Sequence, residues 1–253
     1  MVNQFGDLYS QYYDLLYSDK DYTGEVKYVD SLIKSNINVA KTLLDMGCGT
    51  GKHAELFCDI EYTVHGIDLS EDMLKIAETR RCGKEDKLSF SHSRISDLNL
   101  DKKFDAVVSL FHVMSYQNSN EELIKAFEVA KKHLNSDGVF IFDFWYGPAV
   151  LTDLPTTRVK RLENEHIKVT RLAEPVIHPQ QNIVDVNYDV FIDKQAKEVI
   201  EKRELHKMRY FFDTELEIVC QKVGFKVMNK SEWMSNKKPD FGSWNAVWIV
   251  SKK

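Results

Sequence analysis

Leu43-Leu44-Asp45-Met46-Gly47-Cys48-Gly49-Thr50-Gly51 decides how this chain is read. A short apolar run ends in three glycines, and a helical segment follows from Lys52. Such a turn brings bare backbone N–H groups close to a ligand, because glycine tolerates positive φ and carries no Cβ to block the approach. The spacing excludes two other glycine turns. A dinucleotide fingerprint, G-x-G-x-x-G, needs its third glycine at position 52, where Lys52 stands. A phosphate loop, G-x-x-x-x-G-K-[ST], needs glycine where Met46 stands and a hydroxyl where His53 stands.

Outward from the turn, residues 62–67 read as the next buried strand, ending at Asp68 in His65-Gly66-Ile67-Asp68-Leu69-Ser70. A carboxylate at that strand end can accept both hydrogen bonds of a ribose diol. The turn followed by Asp68 therefore points to a nucleoside ligand, whereas a tight turn and a helix cap would be the reading of either feature alone. Leu88–His92, residues 106–110 and residues 139–142 supply further strands, and helical segments separate them, so the pattern is that of βαβ units around a parallel sheet. Ser70 is placed to cap one helix, with Glu71 and Asp72 in its first turn, and Asn120 to cap another that exits at Gly138.

After Trp145 the rhythm changes. Val184, Val186, Tyr188, Val190 and Ile192 alternate with more polar neighbours, the period of a half-buried antiparallel strand. Residues 166–172 and 198–210 read as its companions, with Pro175 and Pro179 as punctuation. We expect residues 148–211 to form an antiparallel β subdomain inserted into a domain made of residues 1–147 and 212–253. A last helix from Asp213 to Gly224 and strands at residues 225–228 and 245–250 complete that domain.

Composition narrows the function. With 253 residues, 43% of them apolar, the chain can bury a large core without disulfides, and Cys48, Cys58, Cys82 and Cys220 form no C-x-x-C pair. The eight histidines form no compact ligand set, so no metal is expected. Lys and Arg number 34 against 39 Asp and Glu, a net charge of -5 that offers no basic field to nucleic acid. The longest apolar-rich runs fall short of the roughly 20 residues that span a bilayer. The reading is a cytoplasmic protein, monomer or homodimer, with a small-molecule substrate and neither nucleic acid nor membrane as partner.

Asp45-Met46-Gly47-Cys48-Gly49-Thr50-Gly51, with Asp68-Leu69-Ser70-Glu71-Asp72-Met73-Leu74, resembles the cofactor signature of class I S-adenosylmethionine-dependent methyltransferases. That resemblance implies a Rossmann-like doubly wound α/β sheet of seven strands, the last antiparallel, with S-adenosylmethionine as cofactor and S-adenosylhomocysteine as product. It implies that Gly47 and Gly49 line the methionine half, that Asp45 orients the turn near the cofactor's amino group, that Asp68 holds the ribose, and that Leu69 and Met73 flank the adenine. Where the family usually has an acid after the third strand, this chain has Arg94, which can only donate hydrogen bonds. The adenine amino group then falls to Ser93, a backbone carbonyl or Asp97, with Ile95 against the ring edge.

Tyr13-Asp14-Leu15-Leu16-Tyr17 with Lys20-Asp21-Tyr22, residues 104–111 leading to His112-Val113-Met114-Ser115-Tyr116, and residues 204–211 are similar to the sugar N,N-dimethyltransferases that act on nucleotide-linked amino sugars. The resemblance adds Tyr13, Tyr22 and Leu110 to the cofactor site. It implies methyl transfer to the amine of a dTDP-type amino sugar; N- or O-methylation of another small metabolite, such as an amino acid or a surface-polysaccharide precursor, is the alternative. Candidate catalytic residues are Tyr17, whose ring could steady a sulfonium, and His112 and Tyr116, which follow the fourth strand on the edge where open α/β sheets bind ligands. Trp145, Tyr146 and Trp244 are candidate walls of the acceptor pocket. His178, His206 and Arg209 lie on the insert, with Arg209 the first choice to meet a diphosphate. For each of these a packing or surface role is the competing reading.

Overall fold

The computed structural model describes residues 15–17, 19–165, 167–193 and 199–253. Five strands, β1 (Thr42–Met46), β2 (Thr63–Asp68), β3 (Leu88–His92), β4 (Phe104–Ser109) and β5 (Leu134–Tyr146), pair in parallel in the order β3-β2-β1-β4-β5. At the chain's end β10 (Phe225–Glu232) and β11 (Asn245–Lys252) form an antiparallel pair, and β11 lies antiparallel to β5. These seven strands are the expected α/β sheet.

The sheet does not stop at seven. β6 (Arg158–Glu163), β7 (Lys168–His178), β8 (Ile183–Asp193) and β9 (Val199–Phe211) make an antiparallel meander, and β9 joins the tip of β5 through the pairs Trp145↔Tyr210 and Tyr146↔Phe211. Among the described residues the result is one eleven-stranded sheet, larger than the seven strands expected. Pro175 sits inside β7 rather than at its end. It lies beyond Ala173, the last residue paired with β6, so β7 is an edge strand there with Val186 of β8 as its one cross-strand partner, a place where proline is tolerated.

Helices cover both faces of the parallel part. On one side α1 (Tyr22–Asn36) and α2 (Lys52–Asp59) bury Val26, Val29, Ile33 and Phe57 against Leu43, Val64, Ile141 and Ile249. On the other, α4 (Asn120–His133) and α6 (Asp213–Val223), separated in the chain by the short α5 (Gly147–Thr152), pack Phe127, Leu216 and Val219 against Phe140, Phe142, Phe144 and Trp248. Strand pleating decides which layer each β5 residue joins: Val139 and Ile141 face α1, while Phe140, Phe142, Phe144 and Tyr146 face α4.

Two boundaries differ from expectation. Ser70 does cap α3 (Glu71–Thr79), its hydroxyl accepting from the Met73 N–H at 3.3 Å. The cap of α4 is Ser119, one residue before Asn120, because only Ser119 completes a capping box with Glu122. That helix ends at His133, and Gly138 lies within β5. No helix among the described residues is long and apolar enough to cross a membrane.

Candidate active site

A cavity of about 750 Å³ opens at the carboxyl ends of β1, β2, β4 and β5, beneath one face of the β6–β9 meander. Its floor is the glycine turn. Gly47, Gly49 and Gly51 all have positive φ, at 86°, 54° and 76°, which explains why glycine stands at each. A Cβ on Gly47 would lie 2.5 Å from Val113 Cγ1, whereas one on Gly49 would meet nothing of the protein within 4 Å. Asp68 is aimed by two backbone donors: Gly49 N–H reaches its Oδ2 and Ser70 N–H its Oδ1, each at 2.8 Å. A carboxylate has lone pairs beyond these two. Burial raises its pKa, with the backbone bonds pulling the other way.

Asp45 lies behind the turn, 2% exposed, and its Oδ2 has no hydrogen-bond partner among the described residues. Burial, reinforced by the charge of Asp68, raises its pKa to about 7. A buried carboxylate left half-satisfied beside an open glycine turn is suited to a cationic group, since an adjacent ammonium would relieve both deficits. Met73 and Leu110 also line the cavity. Leu69, Ser93 and Ile95 do not: Leu69 is 48% exposed beside Asp68, the Ser93 hydroxyl is spent on the Arg94 carbonyl at 2.8 Å, and Ile95 packs against the α4-side core.

The loop after β4 is strained. Phe111 and His112 are consecutive non-glycine residues with φ of 64° and 63°, a conformation that costs on the order of 1 to 3 kcal/mol each. Asp143, 1% exposed, holds it: its oxygens lie 3.2 and 3.1 Å from the His112 backbone N–H, and its Oδ2 is 2.7 Å from His112 Nδ1. His112, Tyr116, Trp145 and Trp244 share the cavity wall. The two indoles meet edge to face at 5.4 Å, and Trp244 Nε1 has no hydrogen-bond partner among the described residues. Burial, with Tyr188, Tyr17 and Glu204 nearby, raises the Tyr116 phenol well above its ordinary pKa.

Tyr17 and Tyr22 also face the cavity, with the Tyr17 hydroxyl accepting from Arg171 Nη1 at 3.0 Å. The segment that carries them is pinned at its base. His53 Nε2 lies 2.7 Å from Glu25 Oε2, Lys20 pairs with the same carboxylate, and Lys20 Nζ sits 4.6 Å from the Tyr22 and Phe111 ring centres. Burial pushes the Glu25 carboxyl up, but His53 and Lys20 outweigh it and hold the pKa at about 2. Tyr13 lies outside the described residues.

Strand parity corrects three expectations. Tyr146 follows Trp145 and so faces the opposite layer, buried among Phe142, Phe144 and the α4-side core. Arg209 falls between Met208 and Tyr210 and points away from the cavity, to Asn120 Oδ1 at 2.7 Å and to Glu215. His178 lies on the outer face of β7, 3.2 Å from Asp185. His206, on the inner face, does line the cavity.

Sequence reading missed Asp143 on β5, the cavity-lining His53 and Phe111, and a group of residues on the same inner face of the meander. Its rungs are Arg158–Ala173–Tyr188–Glu204 and Lys160–Arg171–Val190–Lys202, read across β6 to β9. Arg158, Lys160, Arg171 and Tyr188 line the cavity, and the Arg171 guanidinium stacks 4.8 Å from the centre of the Tyr188 ring. Lys160 Nζ is 2.8 Å from Asp19 Oδ1. The signal available in sequence was the alternation of β6, where Arg158 and Lys160 share a face.

The profile of the methyltransferase domain family matches residues 43–138. The chain belongs to the S-adenosylmethionine-dependent methyltransferases, and S-adenosylmethionine is its cofactor. It is 30% identical over 218 residues to the dTDP-3-amino-3,4,6-trideoxy-alpha-D-glucopyranose N,N-dimethyltransferase of Streptomyces venezuelae, covering 85% of this chain and 89% of that one. Among solved structures it is similar to Streptomyces venezuelae DesVI, with a TM-score of 0.80, 26% identity and coverage of 96% and 98%. It also resembles a S-adenosylmethionine-dependent methyltransferase from Clostridium acetobutylicum, with a TM-score of 0.83, 24% identity and 96% of each chain covered.

Proposed function

We propose that this methyltransferase acts on the amine of a nucleotide-linked, dTDP-type amino sugar. The observation that carries the reading is the row of cations, Arg158, Lys160 and Arg171, on the meander face above the cavity. Asp19 balances Lys160 and the Tyr17 hydroxyl takes one bond of Arg171, and the positive charge that remains suits a diphosphate better than a neutral acceptor. Tyr188 and Tyr17 beside Arg171 offer flat apolar surface for a base or sugar ring. The activity for which the Streptomyces venezuelae relative is named, N,N-dimethylation of a dTDP-linked amino sugar, points the same way. Residues 148–211 then serve the acceptor, and residues 1–147 with 212–253 the cofactor.

When bound, S-adenosylmethionine supplies an electrophilic methyl on a sulfonium. Asp45, Gly47 and Gly49 would take its amino-acid half, Asp68 the ribose, and Met73 the adenine. Trp145 and Trp244 wall off the acceptor and exclude water, which brings the nucleophile into line at little entropic cost. His112, whose Nδ1 lies 2.7 Å from Asp143 Oδ2 in close contact but without hydrogen-bond geometry, would present Nε2 to take a proton from the attacking group.

That same pair favours a second reading, O-methylation, because a hydroxyl nucleophile needs a firmer base than an amine does. A mass-spectrometric screen with dTDP-amino sugars, the matching hydroxyl sugars and free amino acids decides between them. Methyl gain confined to aminated nucleotide sugars supports the first reading. Gain on hydroxyl sugars selects the second, and gain on amino acids alone removes both.

A further inference from the structure

β9 carries its polarity the wrong way round. Along the pleat Leu205 faces out, 36% exposed, while Glu204 and His206 face in, each 3% exposed. Burying a carboxylate where a strand ordinarily places an aliphatic side chain is costly unless the charge is used. Glu204 Oε2 lies 3.4 Å from His206 Nε2, and His206 Nδ1 lies 2.7 Å from the Tyr116 hydroxyl. Three residues therefore form a line from the β9 interior to the cavity, which Tyr116 and His206 both reach and Glu204 does not.

We propose that Glu204 is a positioning residue for methyl transfer, holding His206 in the tautomer that takes the Tyr116 hydroxyl proton, so that the Tyr116 oxygen meets the acceptor as a hydrogen-bond acceptor. The inference rests on the reading of this cavity as the place where an N–H acceptor is methylated. A carboxylate can only accept, so in the neutral imidazole that bonds Glu204 it is Nε2 that carries the proton and Nδ1 that presents a lone pair. Tyr116 has one O–H, and with that donated to Nδ1 its oxygen offers a lone pair. An amine that donates N–H there has its own lone pair turned away from Tyr116, in a fixed direction.

The groups packed around His206 agree with this assignment. Tyr188 stands edge-on to the ring at 4.8 Å from β8, and Tyr116 comes from the loop after β4. Lys202, on the same face of β9, lies 3.7 Å from Glu204 Oε1 and supplies positive charge to the carboxylate rather than to the imidazole. Among the described residues, Arg171 stacks on Tyr188 and donates to Tyr17 on the cavity side.

The test reads the tautomer directly. In ¹⁵N-histidine-labelled protein, with the His206 signals assigned by their loss in His206→Asn, the parent should show Nδ1 as the unprotonated nitrogen. The isosteric Glu204→Gln, whose amide can donate, should move the proton to Nδ1. In turnover Glu204→Gln and Tyr116→Phe should each lower kcat on the order of 10- to 100-fold with S-adenosylhomocysteine affinity within twofold of the parent. The double variant should be no slower than Tyr116→Phe, since both act through one hydroxyl. A protonated Nδ1 in the parent, or additive losses in the double variant, would overturn the proposal. Should no N–H acceptor be methylated, the functional reading fails on its own, and the nitrogen signals still decide whether Glu204 sets the tautomer.

Discussion

Asp143 grips His112 by two handles, accepting its backbone N–H at 3.1 Å and lying 2.7 Å from its Nδ1. One buried carboxylate on β5 thereby fixes both the left-handed backbone of the loop after β4 and the ring that loop presents.

Asp143→Asn keeps the shape and removes the charge. An amide can still accept from the backbone N–H but competes poorly for an imidazole proton, so the ring loses its fixed orientation. We expect kcat to fall on the order of 10- to 100-fold, the scale on which loss of a partner that orients an imidazole acts, and less than the roughly 100- to 10,000-fold worth of the acid–base group itself, because Nε2 remains. The acceptor KM should move less than threefold. Steady-state kinetics with the best acceptor measure this, and an unchanged kcat would leave His112 a structural residue.

The buried Asp45 makes the ligand-free protein sensitive to pH. Its pKa is raised from 3.8 to about 7, so folding favours the protonated form. The sign follows from linkage: the unfolded chain releases this proton more readily, and stability is lost as pH rises from about 4 through 7. Asp45→Asn should therefore melt higher than the parent in the absence of cofactor, by a margin that widens from pH 4 to pH 7 and is level above it. With S-adenosylmethionine the order should reverse, because the parent alone gains an ammonium partner. Thermal melts at four pH values, with and without cofactor, check both halves, and a margin that narrows toward pH 7 would mean that another group dominates.

The cations of the meander should serve the acceptor and not the cofactor. Arg158 is exposed on the cavity rim, so Arg158→Ala removes charge at little cost to the core. The KM of a diphosphate-linked acceptor should rise on the order of tenfold, and 0.5 M salt should raise the parent's KM toward that of the variant and so shrink the difference. S-adenosylhomocysteine affinity should stay within twofold. An acceptor KM that ignores both the variant and the salt would argue for a neutral acceptor.

Much of this was open to sequence reading because two periodicities dominate. The apolar runs of β1, β2, β4 and β5 and the glycines of the first turn fix the α/β half, and the Asp68 position follows from the end of β2. Period-two reading was available for the meander too, and applied residue by residue it separates Trp145 from Tyr146 and His206 from Arg209. What it could not supply was register between strands distant in sequence. Only the pairing of Lys160 with Arg171, and of Tyr188 with Glu204, shows that the cations gather in one place and that a carboxylate backs His206. The helix cap moved to Ser119 for a local reason, since the reciprocal bond with Glu122 outweighs the capping propensity of Asn120.

The two glycines of the cofactor turn should separate folding from function. Gly47→Ala places a methyl 2.5 Å from Val113 Cγ1 at a φ of 86°, so the strand end or the loop carrying His112 must shift. Gly49→Ala, at a φ of 54° with no protein atom within 4 Å of the new Cβ, has only the left-handed penalty of about 1 to 2 kcal/mol to bear. Both variants should lose S-adenosylhomocysteine binding, but for different reasons. Gly47→Ala should also melt several degrees below Gly49→Ala, while Gly49→Ala should hold its fold and bind at least tenfold more weakly, because its methyl occupies the space the cofactor needs. Calorimetric titration and melting of the two proteins side by side distinguish these outcomes. Undiminished affinity in Gly49→Ala would place the cofactor away from this turn and would move the whole site with it.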